Sequence, residues 1–215
     1  MEIELIFKSK TREDNLIETH YNNYEFEIVC INEETQQDRT LIGKGRAILY
    51  LTQRATAYND LQLFLFSFAE CGQLDIYGEL FEMEEFYLKD RYCDPIFQNT
   101  ENTNILVLDR IQLLPEYRKR GIFKTVIDLV RNYFYGCYGL EIAIARPEQY
   151  KIYTYKTEKE KQWDNMMKYE GMEKDDKKIK ISLHKLLKKV KFCKVRNSEI
   201  YYHILKKTDL VRKVE

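Results

Sequence analysis

The chain has 215 residues, enough for one medium domain with a hydrophobic core, and its 35 Lys and Arg residues balance its 35 Asp and Glu residues. This balance excludes a global electric field that would draw the protein to nucleic acid or to a membrane surface. No apolar run reaches the roughly 18 residues that a membrane-spanning helix needs, and the first ten residues lack the regions of a signal peptide, so we expect a soluble, cytoplasmic protein.

The cysteines and histidines predict neither a disulfide framework nor a metal site. The five cysteines are scattered, odd in number and form no CxxC pair. His20, His184 and His203 lie at no metal-ligand spacing from one another or from a cysteine. We therefore expect no metal cofactor.

Alternation of apolar and polar side chains predicts antiparallel strands within residues 1–58. The alternation is clearest at residues 2–7, 24–29 and 45–51. The polar residues 32–39 are expected to form a hairpin loop between the second and third strands.

Residues 59–103 predict helices followed by a linker. Apolar side chains recur at helical separations from residue 59 to residue 85 and are interrupted by Gly72, which fits one helix or two helices at an angle. Residues 86–103, which include Asp94 and Pro95, are expected to have little regular structure.

Residues 104–147 carry the most ordered pattern, a strand, a helix and a second strand. The near-continuous apolar run from Ile105 to Leu114 predicts a strand that is buried on both faces and that Pro115 ends. Residues 122–134 place apolar side chains on one helical face and polar side chains on the other. Residues 140–145 predict the second strand, so we expect a parallel, right-handed βαβ unit.

Residues 148–215 predict a C-terminal helix, a basic segment and a last strand. The helix is expected from Glu158 to Tyr169, and the strand from Glu199 to Leu205. Between them, the segment Lys174 to Arg196 contains ten basic and two acidic residues, interleaved with apolar ones. It could dock an acidic partner or RNA, but it fits better an amphipathic segment that covers the sheet, because aromatic side chains for base stacking are nearly missing.

The turn between the buried strand and the amphipathic helix, residues 113–123, has the sequence LLPEYRKRGIF and places three basic residues at a helix start. Cations are unfavourable there, because the amino end of a helix carries about half a positive charge and unpaired N–H groups. A phosphate would reverse the sign, since the N–H groups would donate to it and Gly121 would let the main chain approach closely. Alternatively, the basic side chains simply extend into water, as most short runs of surface charge do.

The same run resembles the central motif of the GNAT superfamily of acyl-CoA-dependent N-acyltransferases, V-x-P-x-Y-R-x-x-G-x-G/A ahead of a helix. The resemblance is good from about Asn104 to Pro147, weaker from Lys159 to Glu173, and fades over the first hundred residues. It implies a single α+β domain over residues 1–215 with three layers, in which helices flank a mixed, mostly antiparallel central sheet with one splayed parallel strand pair. It also implies acetyl-CoA, or another acyl-CoA, as co-substrate.

The resemblance implies a cofactor site in residues 113–124. In the family, a bulge parts the strand before the motif from its neighbour, the strand pairs with the pantetheine arm, and the N–H groups of the turn hold the pyrophosphate. Matched residue by residue, Leu113 and Leu114 would line the pantetheine. The pyrophosphate cradle would consist of Arg118, Lys119, Arg120, Gly121, Ile122, Phe123 and Lys124. Phe123 replaces the second glycine or alanine of the family pattern.

Acyl transfer to an amine requires a deprotonated nucleophile, a polarised carbonyl and a protonated thiolate. The resemblance places the polarising main-chain N–H near Leu113. Asp109 and Glu141, on neighbouring predicted strands, are candidate bases, because partial burial raises the pKa of a carboxyl group toward neutrality. Each is equally compatible with an ion pair to Arg110 or to another neighbour in the sheet.

A general acid is harder to assign. The family often uses a tyrosine four residues before the glycine of a helix-end signature, which residues 168–173 resemble, and that position holds Met167. Tyr169 could take the role only if the helix were rotated or shifted, since two residues turn a helix by roughly 200°. A structural role for Tyr169 is the stronger alternative.

Three hypotheses for function follow. The first is an N-acyltransferase, specifically an N-acetyltransferase, that moves the acyl group of acetyl-CoA to an amine by direct attack. The second is a GNAT-like binding module without catalytic activity, which the missing tyrosine and Phe123 favour. The third is a nucleic-acid-binding protein that uses Lys174 to Arg196. The sequence leaves the acceptor, the acyl group and the oligomeric state open.

Overall fold

The computed structural model describes residues 2–9, 20–31, 38–58, 60–82, 88–99, 102–145, 157–168 and 173–205. Strands and helices alternate in blocks along the described chain. In order they are β1 (Glu2–Ser9), β2 (Tyr21–Ile31), β3 (Arg39–Tyr50), α1 (Thr52–Tyr58), α2 (Leu61–Glu70), α3 (Leu74–Leu80), α4 (Asp90–Asn99), β4 (Ile105–Leu113), α5 (Ile122–Tyr133), β5 (Leu140–Ile144), α6 (Glu158–Met167), α7 (Asp176–Lys189), β6 (Cys193–Lys194) and β7 (Ile200–Ile204).

The described strands form one mixed sheet in the order β1-β2-β3-β4-β5-β7-β6. All neighbours pair antiparallel except β4 and β5, which are parallel and are joined through α5. Helices flank this sheet, so the expected fold is confirmed: an α+β domain with a mostly antiparallel sheet and one parallel pair.

The helices form two layers, each with its own hydrophobic core. One face of the sheet packs against α1 to α4, with Tyr50, Phe64, Phe68 and Tyr77 at the centre. The other face packs against α5 and α7, which bury Val126 and Leu187 among others. The burial of residues 105–108 on both faces of β4 agrees with their continuous apolar pattern. Within the described residues, no helix has the length and apolarity that crossing a bilayer requires.

The expected linker at residues 86–103 is wrong, because α4 occupies most of it. Pro95 lies inside this helix and removes one main-chain hydrogen bond. Helix α4 forms nevertheless, because Tyr92 and Ile96, one helical turn apart, are buried in the core beneath α1 to α4. Helix α1, in a region where only strands were expected, joins the same core through Ala55.

Other boundaries agree more closely with the patterns. The apolar stretch after residue 59 forms α2 and α3, and they are separated at Gly72, which has a left-handed φ of 70°. The basic segment forms α7 and β6, and Ile179 and Leu187 face the protein while most of its lysines are exposed. This placement matches the expected amphipathic cover over the sheet.

Candidate functional site

Strands β4 and β5 pair over only four residues and then part. The last paired residues are Leu108 and Ala143. Strand β4 continues to Leu113 and keeps its pairing with β3, whereas its other edge has no strand partner in the described chain. Among the described residues, the edge of β4 on the β5 side is therefore unpaired beyond Leu108, and we call this stretch the gap between the two parallel strands.

A β-bulge lies where this gap opens. Arg46 of β3 pairs with Arg110, and Ala47 pairs with Leu108, so Asp109 is the additional residue on β4. A bulge bends its strand and increases the local twist, which explains why β4 leaves β5 at this point. The parting of the strands has a physical cause in the register of β3 and β4.

The turn that follows β4 presents main-chain amides without acceptors. A 3-10 turn at Pro115–Tyr117 leads to Lys119 and Gly121, which have left-handed φ angles of 63° and 80°. In the described chain, the N–H groups of residues 119 to 123 donate to no protein acceptor, and Gly121 caps α5 without a side-chain bond. Turns with left-handed residues before a helix form concave sites that bind anions.

Arg118 does not join the other basic side chains of this turn. Its Nε donates to the Leu113 carbonyl oxygen at 2.9 Å, and its Nη2 donates to the Met167 carbonyl oxygen at 2.8 Å. Its guanidinium therefore links the end of β4 to the end of α6, and its expected place in the pyrophosphate cradle does not match this geometry.

The remaining predicted cradle residues divide into three kinds. Lys119 and Arg120 are exposed at the turn, with the Arg120 guanidinium 5.8 Å from the Tyr117 ring centroid. Ile122 is buried in the core and Phe123 packs against it, so both contribute only their amides to the turn surface. Lys124 forms an ion pair with Asp128 one turn further along α5.

Leu113 and Leu114 point in different directions. The Leu114 N–H donates to the Ile42 carbonyl oxygen at 2.9 Å, and its side chain is buried against Trp163 and Met167. Because successive amides of a strand point to opposite edges, the Leu113 N–H points away from β3 and toward the gap. Of the two residues, only Leu113 faces the position expected for pantetheine.

Asp109 lies at the opening of the gap on the sheet face that carries α1 to α4. Its Oδ1 accepts from Gln73 Nε2 at 2.9 Å, and its Oδ2 lies 3.6 Å from Arg46 Nη1. Gln73, at the junction of α2 and α3, also accepts from the Tyr50 hydroxyl at 3.1 Å. The ion-pair partner is thus Arg46 rather than Arg110, and the carboxylate is fixed at the point where the strands part.

Glu141 lies on the opposite face, beneath α5, before the gap opens. It pairs with Leu106 and is completely buried. Its Oε2 accepts from Arg131 at 2.8 Å from Nε and 2.7 Å from Nη2. Burial raises the pKa of Glu141, and Arg131 opposes this rise. This position favours a structural ion pair for Glu141 over a role as a base.

The expected positions for an acid give no proton donor in the described chain. Tyr169, Gly171 and Met172 lie outside the described residues. Met167 is buried against Leu114 and Trp163, and its thioether carries no proton. Helix α7 lies between residues 168–173 and the last two strands, so the expected helix-end signature does not directly precede those strands. Helix α7 ends at Lys189, and Lys191, with a φ of 71°, is followed by the buried Phe192.

Helix α6 covers the far end of β4. Trp163 donates through Nε1 to Gln112 Oε1 at 3.1 Å, and the Lys44 ammonium lies 4.3 Å from the centroid of the Trp163 ring. Together with Arg46 and Asp109, these side chains form a polar surface beside the gap. The sequence did not single out Gln73, Arg46 or Trp163, because their roles depend on strand register and on a helix that follows β4 by more than forty residues.

Among the described residues, no three His, Cys, Asp or Glu side chains are grouped as a metal ion would require. Comparison of the chain with protein-family models, curated proteins and solved structures finds no match.

Proposed function

We propose that the protein is an N-acyltransferase that moves an acyl group, in the first instance acetyl, from coenzyme A to an amine. The proposal depends on one observation: five consecutive amides, at residues 119–123, have no acceptor among the described residues and lie directly after a strand that parts from its parallel neighbour. Each feature alone is common. Together they would place a diphosphate at the turn and an extended arm along the edge of β4, which is the order of these two groups in a nucleotide-linked thioester.

The donor set suits the two ends of such a co-substrate. Main-chain amides at a helix start, with exposed Lys119 and Arg120, have the charge and the donors to bind a diphosphate. Beyond Leu108 the edge of β4 has no strand partner among the described residues, so its main-chain groups are placed to pair with an amide-containing arm, and the Leu113 N–H points into the same gap. The bulge at Asp109 supports the resemblance to the GNAT superfamily, whose motif strand is parted in this way.

The amine would approach from the face that carries α1 to α4, where Asp109 stands at the opening. Its carboxylate accepts the proton of the attacking amine, directly or through one water molecule. Gln73 and Arg46 keep the carboxylate oriented. The Leu113 N–H donates to the carbonyl oxygen as negative charge develops on it, which lowers the barrier to attack.

Calorimetry with coenzyme A tests the proposal through one pair of matched variants. Gly121 and Gly136 have nearly equal φ angles of 80° and 74°, and a Cβ at either position would meet no atom within 4 Å. Gly121→Glu and Gly136→Glu therefore introduce the same backbone strain and the same charge at opposite ends of α5. We expect coenzyme A to bind the wild type and the Gly136 variant, and to lose at least tenfold affinity for the Gly121 variant.

Two results would count against this proposal. If the wild-type protein does not bind coenzyme A at millimolar concentration, the enzyme assignment fails. If both glutamate variants weaken binding equally, the ligand does not use the amino end of α5.

The second candidate is a coenzyme A-binding module without catalytic activity, favoured by the buried Met167 at the position of the family's tyrosine. It predicts coenzyme A affinity in calorimetry without thiol release from acetyl-CoA in a broad screen of amines. Steady thiol release with any amine would exclude it.

A further inference from the structure

A cavity of about 350 Å³ lies between α7, the end of β5 and the strands β6 and β7. Its walls include Ala145, Ile181, His184 and Tyr201. None of these side chains has a part in the proposed binding of the diphosphate or the amine. The cavity is therefore a feature of this chain that the proposed function does not yet use.

The position of the cavity follows from the strand register. Tyr201 of β7 pairs with Ala143, and Ala143 pairs with Leu108 at the last rung before the gap opens. Tyr201, Ala143 and Ala145 contribute to the same core as α5, so their side chains lie on that face of the sheet. On this rung, the residue between Tyr201 and Leu108 is Ala143 of β5, which has only a methyl side chain.

His184 and Tyr201 form a hydrogen-bonded pair in this cavity. The His184 Nδ1 lies 3.1 Å from the Tyr201 hydroxyl oxygen. Tyr201 is buried, whereas His184 is exposed, and its Nε2 has no partner in the described part of the chain. A histidine held at one ring nitrogen and open at the other is a typical general acid or base.

We propose that His184 is the general acid that protonates the departing thiolate of coenzyme A, and that Tyr201 is the residue that positions its ring. This inference rests on the proposed acyltransferase function. It supplies a proton donor at the leaving group, which Met167 does not provide.

The proton and electron balance is complete without a further reactant. The amine nitrogen attacks the thioester carbonyl carbon, and its proton passes to Asp109. When the carbonyl re-forms, the C–S bond breaks, and its electron pair remains on sulfur. The sulfur takes the proton from His184 Nε2. His184 then regains a proton from solvent, and Asp109 releases the proton of the amine to solvent. The products are an amide and the free thiol.

The tyrosine acts as a neutral partner. Burial raises the pKa of Tyr201, and Glu199 adds to the rise, so the hydroxyl keeps its proton at neutral pH. It can accept from a protonated Nδ1 or donate to a deprotonated one, which fixes the ring in both states. The other charged groups around the cavity are Lys180, which pairs with Glu199, and Lys185 and Lys194.

Histidine NMR tests the inference before an acceptor amine is known. The chain has only three histidines, and two of them, His20 and His203, are buried, so the signal of exposed His184 can be distinguished. His184→Gln assigns the exposed ring by removing its signal. This signal is then followed at a fixed pH with saturating coenzyme A and with desulfo-coenzyme A, which lacks the sulfur atom. A sulfur atom within hydrogen-bond reach of Nε2 should shift the His184 ring signals with coenzyme A only.

Calorimetry on the same samples distinguishes failure of the His184 assignment from failure of the proposed function. Equal ring signals with both ligands, while both bind, would overturn the role of His184 and leave the proposed function intact. Absence of coenzyme A binding would overturn both.

Once an amine substrate is found, His184→Gln should lower thiol release by about 100-fold with unchanged coenzyme A affinity. Tyr201→Phe should show a smaller loss together with a shifted pH profile. Lys188→Gln, exposed on α7 outside the cavity, is the control and should match the wild type. Equal turnover by His184→Gln and the wild type would overturn the assignment.

Discussion

The guanidinium of Arg118 donates a hydrogen bond of 2.8 Å to the main-chain carbonyl of Met167, 49 residues further along the chain. A second bond from the same side chain reaches the Leu113 carbonyl. The end of β4, the turn and the last residue of α6 are thus held together by one residue. This arrangement assigns Arg118 to the construction of the site and leaves Lys119 and Arg120 as the cations available to a ligand.

Arg118→Lys should destabilise the protein, because one ammonium cannot reproduce both bonds of the planar guanidinium. Leaving one partly buried carbonyl without a donor costs about 1–3 kcal/mol. We expect a lower melting temperature for this variant, measured by calorimetric unfolding. Arg120→Lys, at an exposed position, is the control and should melt with the wild type. Wild-type stability with much weaker coenzyme A binding would instead show that Arg118 contacts the ligand.

Lys119→Gln and Arg120→Gln should weaken coenzyme A binding without changing stability. Both side chains are exposed, and such a charge contributes up to about 1 kcal/mol, so each variant should lose about two- to fivefold affinity. The loss should shrink as salt is raised, because salt screens exposed charges. Titration calorimetry at two ionic strengths measures this, with Lys177→Gln on α7 as the control. Equal losses at both ionic strengths would contradict an electrostatic role.

The sequence predicted the sheet and α5 well, because their signals are local. Residues 105–108 and 140–145 read as buried strands, and both faces of these strands are covered. The prediction at α4 was wrong because Asp94 and Pro95 suggested a break, whereas tertiary burial of Leu88, Tyr92 and Ile96 outweighs one lost hydrogen bond. The four-residue spacing of those side chains was a usable signal.

The candidate site was harder to predict from the sequence, because it depends on pairings between distant segments of the chain. The identity of Asp109 as a bulge residue follows from the register of β3 against β4, which alternation alone does not fix. The contact of His184 with Tyr201 joins a helix to a strand that the sequence treated separately. Individual candidate residues could be identified in the sequence, but their proximity in the fold could not.

Asp109→Asn should abolish most turnover while it preserves coenzyme A binding. The asparagine amide keeps an oxygen that can accept the hydrogen bond from Gln73. It cannot, however, take a proton from the attacking amine. Loss of a general base lowers the rate by about 10²–10⁴-fold. Thiol release and calorimetry on one preparation measure both quantities. Asp128→Asn, which removes a carboxylate from the α5 surface, is the matched control. Full turnover by the Asp109 variant would exclude this residue as the base.

Glu141 and Arg131 allow a stability prediction that does not depend on any ligand. Glu141 Oε2 is paired with Arg131, while Oε1 is buried without a partner in the described chain. Burial raises the pKa of Glu141 above its ordinary value, against the opposing charge of Arg131. The folded state therefore binds this proton more tightly than the unfolded state does. The resulting stabilisation is fully present below the ordinary carboxyl pKa and is lost as pH rises through the raised one.

Arg131→Met should raise the pKa of Glu141 further, because it removes the charge that opposes the effect of burial. At neutral pH the variant must either keep an unpaired buried carboxylate or take up a proton, and breaking such a pair costs about 3–5 kcal/mol. Near pH 5 the carboxyl is more readily protonated, so the loss should be smaller. Denaturant unfolding at pH 5 and pH 7.5 measures the difference. Arg131→Met combined with Glu141→Leu should recover stability and remove the pH dependence, since no buried charge is left. An equal loss at both pH values in the single variant would show that packing by Arg131, rather than its charge, stabilises this part of the core.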